Sequence, residues 1–172
     1  MKKITLIIIS AASLFLFSTH AFAFSVSVGI PLSYTISDDT VAESDGTSGY
    51  LIGVQLPFLL GLGMDSYETK IKDTDDMKLT TDFYNIFYQL PVPIVNLVLG
   101  LGFGNQNIEC TGCDFTKGSA TQWYTSIGMP IIPFFDIHLS YRSITSKNVA
   151  NAADTKFDLS GNATGVGLAF NF

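Results

Sequence analysis

The chain is poor in cationic side chains. Its nine lysine and arginine residues include a single arginine, Arg142, and face fifteen acidic residues. Two of the nine, Lys2 and Lys3, belong to the N-terminal leader described below. No basic patch is left to neutralise phosphates, which excludes nucleic acid as a partner. Cysteine is scarcer still, with Cys110 and Cys113 the only two. One Cys-x-x-Cys without a second ligand pair does not complete a structural zinc site, so no metal or cofactor is expected. Beyond residue 23 no apolar run reaches the ~18 residues that a spanning helix needs. The longest, 94–103, is short and interrupted by Asn96, Gly100 and Gly102. Helical periodicity is missing as well.

What the sequence does hold begins with a leader. Lys2 and Lys3, an apolar stretch from Ile4 to Phe17, and Ala21-Phe22-Ala23 together read as a secretory signal peptide over 1–23, cleaved after Ala23. No cysteine lies near that site, so a lipoprotein is not expected. Residues 24–172 then form one domain. Almost all of it alternates with period two, the mark of strands with one apolar face. Strands are expected over about 24–36, 48–57, 61–71, 79–90, 96–105, 120–129 and 135–144, with an eighth closing at Phe172. The first sets Phe24, Val26, Val28, Ile30, Leu32, Tyr34 and Ile36 on one face. The fifth sets Leu97, Leu99, Leu101 and Phe103 against Gly100, Gly102 and Gly104, and the eighth aligns Val166, Leu168, Phe170 and Phe172. In the third the alternation breaks after Met64, and Phe83 and Phe87 blur the fourth.

The connections alternate in kind. Ser37–Ser48, Lys72–Lys78, Asn105–Ser119 and Thr145–Lys156 are polar and carry most of the acidic residues. Between them lie three apolar turns marked by Pro57, Pro91 with Pro93, and Pro130 with Pro133. Proline stops a ladder and stiffens a turn. Long polar loops on one side and short turns on the other describe an outer-membrane barrel with an even strand number. The expected fold is therefore all-β: an eight-stranded antiparallel up-and-down transmembrane β-barrel, both termini on the turn side and periplasmic. A bilayer demands that every backbone group be paired, which a closed barrel achieves. Aromatics near the strand ends (Tyr34, Tyr50, Phe103, Trp123 and Tyr141 towards the loops; Phe58, Tyr88, Phe135 and Phe172 towards the turns) supply two interfacial girdles. On these residues the chain resembles the small outer-membrane barrels of the outer-membrane protein X and W type and the barrel domain of outer-membrane protein A. The resemblance implies a location in the cell outer membrane, in contact with its lipid and lipopolysaccharide. It also implies that Val166, Leu168, Phe170 and Phe172 are the signal read by the barrel-assembly machinery.

Candidate chemistry concentrates on one expected strand. Asp136, His138, Ser140 and Arg142 share a face, with Gln122 and Tyr124 on the inner face of its neighbour. Two readings are open. One is a lumenal hydrogen-bond network in which Arg142 pairs with a carboxylate such as Asp136 or Asp65. The other resembles the His-x-Ser element of outer-membrane lipid A deacylases, with Ser140 as nucleophile, His138 as base and Asp154 or Asp158 as the orienting acid. His138 and Ser140 then lie about 7 Å apart along the strand. Cys110 and Cys113 are expected to form a disulfide in an oxidising compartment. The acidic loop residues lack the spacing of a calcium loop. Because eight strands enclose an interior that side chains fill, the expected function is non-enzymatic, with exposed loops that contact the environment or stabilise the envelope. A lipid A deacylase-like enzyme and a narrow channel or carrier are the alternatives.

Overall fold

The computed structural model describes residues 24–37, 44–72, 76–90, 92, 95–112, 115–132, 134–147, 149–151 and 156–172. The leader 1–23, Cys113, Pro91, Pro93, Pro133, Asp154 and the acidic residues Asp38, Asp39, Glu43, Asp73 and Asp75 lie outside them. The strands are β1 (Ser25–Ile36), β2 (Ser44–Gln55), β3 (Leu60–Ile71), β4 (Lys78–Leu90), β5 (Asn96–Glu109), β6 (Phe115–Thr116), β7 (Gly118–Ile132), β8 (Phe135–Lys147), β9 (Val149–Asn151), β10 (Lys156–Phe157) and β11 (Gly161–Asn171). Eight of them close an antiparallel barrel in the order β1-β11-β8-β7-β5-β4-β3-β2. The short strands β10, β9 and β6 form a separate three-stranded sheet from the third and fourth polar loops.

Closure runs through the two chain ends. β1 pairs with β11 from Ser25↔Asn171 to Ile36↔Gly161. Beyond this ladder the Phe172 amide donates to the Phe24 carbonyl at 2.8 Å. On the other side of β1 the ladder is short: only Ser25–Gly29 pair with β2, against Gln55–Leu51. Two turns place bulky residues in the left-handed region, Phe58 (φ 91°) with Leu59 (φ 65°) and Phe134 (φ 76°). Such a conformation is disfavoured for residues with a Cβ. Both phenylalanine rings project outwards at the turn-side rim, 77% and 74% exposed, where a bilayer interface rewards them.

The outer surface is apolar over one part of the wall only. On β5, Leu99, Leu101 and Phe103 are exposed, as are Tyr84, Ile86 and Tyr88 on β4. From Leu97 to Phe103 this band runs roughly 20 Å along the strand. Water does not cover such a belt; lipid does. Above it the strands continue with the faces exchanged. On β4 the residues Lys78 and Tyr84 face out, while Leu79, Thr81 and Phe83 between them face in and are fully buried. On β5 Asn105, Asn107 and Glu109 follow Phe103 along the outer face, while Gln106 and Ile108 are buried inside. β3 keeps its parity, but beyond Met64 its apolar residues move to the inner face, with Glu68 and Lys70 outside and Tyr67, Thr69 and Ile71 buried. The barrel therefore has a membrane part, apolar outside, and a head, apolar inside.

Three expectations need correction. Strands β2, β5, β7 and β8 run further into the head than the single-face pattern indicated: in β5 the apolar residue there, Ile108, stands on the inner face, and the residues added to β2 and β7 (Ser44–Thr47, Gly118 and Ser119) are small or polar. Tyr34 and Ile36 do not join the outer face of β1. The register shifts between Pro31 and Ser33, and this bulge turns both side chains inwards, to 1% and 2% exposure. Pro130 does not end its strand: it pairs with Asp136, sits at a second register shift, and β7 continues to Ile132.

Candidate functional site

The lumen is stacked in three layers. At the loop side, Tyr34, Ile36, Tyr67, Leu79, Phe83, Ile108, Ile144 and Leu159 pack into one apolar core, with Met77, Cys110, Phe115 and Phe157 against it. One polar link crosses it: the Tyr34 hydroxyl donates to the Leu159 carbonyl at 2.5 Å and accepts from Gln106 Nε2 at 3.0 Å, while the buried Tyr67 hydroxyl has no hydrogen-bond partner among the described residues. Phe115 and Phe157, from β6 and β10, meet edge to face with centroids 6.2 Å apart, which ties the small sheet to the core beneath it.

The second layer is built around the one arginine. Arg142 Nε donates to Asp65 Oδ2 at 3.0 Å and Nη2 to Asp65 Oδ1 at 3.4 Å. Its Nη1 donates to Ser140 Oγ, and the guanidinium lies 4.9 Å above the Tyr124 ring. Gln122 Nε2 reaches both Asp65 Oδ2 at 2.7 Å and Asn85 Oδ1 at 2.6 Å. Desolvating two charges is costly, and this pairing with added hydrogen bonds offsets the cost. The bulky members need room, which the opposite strand provides. A Cβ on Gly100 would stand 2.2 Å from the Tyr124 ring, and one on Gly61 would stand 2.1 Å from Phe87. The small residues at these inner positions are seats for the large side chains facing them.

The third layer is a cavity of about 90 Å³, running from the Asp65–Arg142 pair to the turn-side rim, where Ser25, Gln55, Gln89, Asn96 and Asn171 line it. Asp136 is buried in its wall. Asp136 Oδ2 accepts from Asn96 Nδ2 at 2.5 Å and from Asn171 Nδ2 at 2.8 Å. His138 Nδ1 lies 3.3 Å from Ser126 Oγ, and its Nε2 lies 3.9 Å from Asp136 Oδ2 without a hydrogen-bond partner.

The six inner-face candidates thus divide between two layers. Arg142, Gln122, Tyr124 and Ser140 gather around Asp65, whereas Asp136 and His138 belong to the cavity. His138 and Ser140 are not brought together as a base and nucleophile. Ser140 Oγ donates to the Gly165 carbonyl at 3.2 Å, and the hydroxyl that His138 meets is that of Ser126. Asp158, one of the two proposed acids, accepts from Ser160 instead, by its amide at 2.9 Å and its hydroxyl at 2.5 Å. Asn96 and Asn171, which clamp Asp136, went unnoticed in the sequence. Their one signal is a polar residue on the inner parity of a strand, and Asn171 stands on that parity between Phe170 and Phe172. In β11 Leu168 and Phe170 are exposed on the outer face and Val166 is half-buried, and Phe172, just beyond the strand, is exposed. Phe170 stacks edge to face on Phe135 at 5.1 Å. Cys110 follows the end of β5 and packs on the apolar core.

No protein-family model matches the chain, and no curated protein matches it in sequence. Solved structures match in fold. Neisserial surface protein A is similar with a TM-score of 0.63 at 16% identity, over 88% of this chain and 98% of that one. The N-terminal β-barrel domain of OprF from Pseudomonas aeruginosa follows with 0.56 at 15% identity, over 88% and 98%. Ail, the attachment invasion locus protein of Yersinia pestis, gives 0.53 at 15% identity, over 87% and 98%. The fold is that of the small bacterial outer-membrane barrels.

Proposed function

We propose that the protein is an integral outer-membrane barrel of non-enzymatic role, a rigid platform that lifts its loops clear of the lipid for contact with the surroundings. The observation that carries this reading is the change of faces along the strands. A barrel needs no second, apolar core merely to sit in a membrane. A head with such a core is a stalk stiff enough to hold loops at a fixed height. Among the described residues of the head and its loops, Asp45, Glu68, Asp76, Asp82, Glu109 and Asp158 are matched by Lys70, Lys72, Lys78, Lys117, Lys147 and Lys156, so the head presents mixed charge. The names of two similar proteins, a surface protein and an attachment invasion locus protein, speak of contact outside the cell and agree with this reading.

In this arrangement the turns and both termini face the periplasm, lipid and lipopolysaccharide surround the belt, and the assembly machinery reads Val166, Leu168, Phe170 and Phe172. A disulfide between Cys110 and Cys113 fixes the tip of the third loop. The filled loop-side lumen argues against conduction. Hydrolysis of lipid A has no support in the geometry, since Ser140 is held by Arg142 and Gly165 and His138 faces the lumen. In intact cells, a membrane-impermeant maleimide should label Glu109→Cys in the head and leave Val92→Cys at a turn unlabelled. The purified barrel should change its gel mobility on boiling and stay silent in planar bilayers. A soluble, detergent-independent monomer, the reverse labelling pattern, or steady conductance would overturn the reading.

A further inference from the structure

The turn-side cavity has a charge imbalance. Its wall carries two carboxylates, Asp65 and Asp136, and one guanidinium. Arg142 is spent on Asp65, Ser140 and the Tyr124 ring, so it offers nothing to an anion. Asp136 is 2% exposed and is held by two neutral amides. Among the described residues no lysine or arginine forms an ion pair with it. The nearest basic group is His138 Nε2 at 3.9 Å, itself buried and unpartnered. A buried carboxylate without a cation is costly, and a cation supplied from outside offsets that cost.

We infer that the cavity is a binding site for a small organic ammonium ion, with Asp136 as its counter-ion and His138 Nε2 as a second acceptor. Two acceptor atoms 3.9 Å apart are both within reach of one ammonium group that donates at 2.8–2.9 Å. The rest of the wall suits an alkyl body. Phe87, Val98 and Tyr124 form a separate small apolar cluster that lines the same cavity. The volume, about 90 Å³, has room for a small alkylamine. Access is from the turn-side rim, because the apolar core fills the other end. The site takes ligand from the side opposite the head and passes nothing through.

The test uses the folded barrel in zwitterionic detergent, titrated with n-butylammonium and followed by nuclear magnetic resonance. Saturable binding is expected, with shifts at Asn96, His138 and Asn171. The neutral isostere butanol and the anion butyrate should bind at least tenfold more weakly. Asp136→Asn should weaken binding at least tenfold, and Ser126→Leu, which fills the cavity and keeps the carboxylate, should abolish it. Retained heat-dependent gel mobility shows that each variant is folded; should Asp136→Asn not fold, Ser126→Leu and the two isosteres decide. Absence of saturable binding, equal binding of butanol, or full binding by folded Ser126→Leu overturns the proposal. The outside-labelling and conductance experiments are independent of this site, so its failure leaves the platform reading standing.

Discussion

The membrane part and the head share the same strands, yet they obey opposite rules. Below Tyr84 in β4 the outside is apolar and the inside holds Asn85 and Gln89; above it the outside is Lys78, Thr80 and Asp82 and the inside is Leu79 and Phe83. The solvent decides. Lipid takes apolar side chains from the outer face and leaves the interior to polar groups that satisfy one another, as Arg142, Asp65 and Gln122 do. Water reverses the demand, and the head buries its apolar residues as a soluble barrel does. One continuous hydrogen-bonded wall serves both, since backbone pairing does not depend on which face is apolar.

The comparison is broken most severely at the ion pair. Arg142→Leu should destabilise the barrel by about 3–5 kcal/mol, because Asp65 is left buried and uncompensated, and the double change with Asp65→Leu should recover part of the loss. Urea unfolding in lipid vesicles measures both. Adjacent residues at the boundary give the next test. Phe83→Ala empties the head core and should cost about 3–5 kcal/mol, whereas Tyr84→Ala, on the outer face, should cost clearly less in the same assay. Leu99→Arg, in the middle of the lipid-facing band of β5, should cost about 2–4 kcal/mol. The same new charge at Asn105, exposed on the same face but in the head, should stay within about 0.5 kcal/mol. Smallest of all, Phe58→Gly relieves a left-handed backbone and loses an interfacial ring, so unfolding should shift by less than about 1 kcal/mol.

The change of faces also explains what could be read from the residues. The eight strands and the closing pair of ends are legible because β1, β5 and β11 are apolar on one parity throughout the band. The head is not legible in the same way. Tyr84, Ile86 and Tyr88 stand on one parity and Leu79 and Phe83 on the other, so β4 looks blurred and β3 looks broken after Met64, although the ladder between the two runs on without a shift. Alternation alone puts Tyr34 on the outer face, because it does not show the bulge that moves the count by one. The inner face of β8 identified Asp136, His138, Ser140 and Arg142 as lumenal candidates, but not their partners. Asp65 lies 77 residues from Arg142 in sequence, and Asn171 lies 35 from Asp136. Barrel closure brings Asp65 to Arg142 across the lumen, and the pairing of β11 with β8 brings Asn171 to Asp136.

The most direct test of the boundary is a tryptophan scan along the outer face of β4, in a Trp123→Phe background that removes the one native tryptophan. Tryptophan is placed in turn at Thr80, Asp82, Tyr84, Ile86 and Tyr88 in brominated-lipid vesicles. Iodide in the water should quench positions 80 and 82, and the brominated chains should quench 84, 86 and 88. Quenching by lipid at all five positions would contradict a head that stands clear of the membrane.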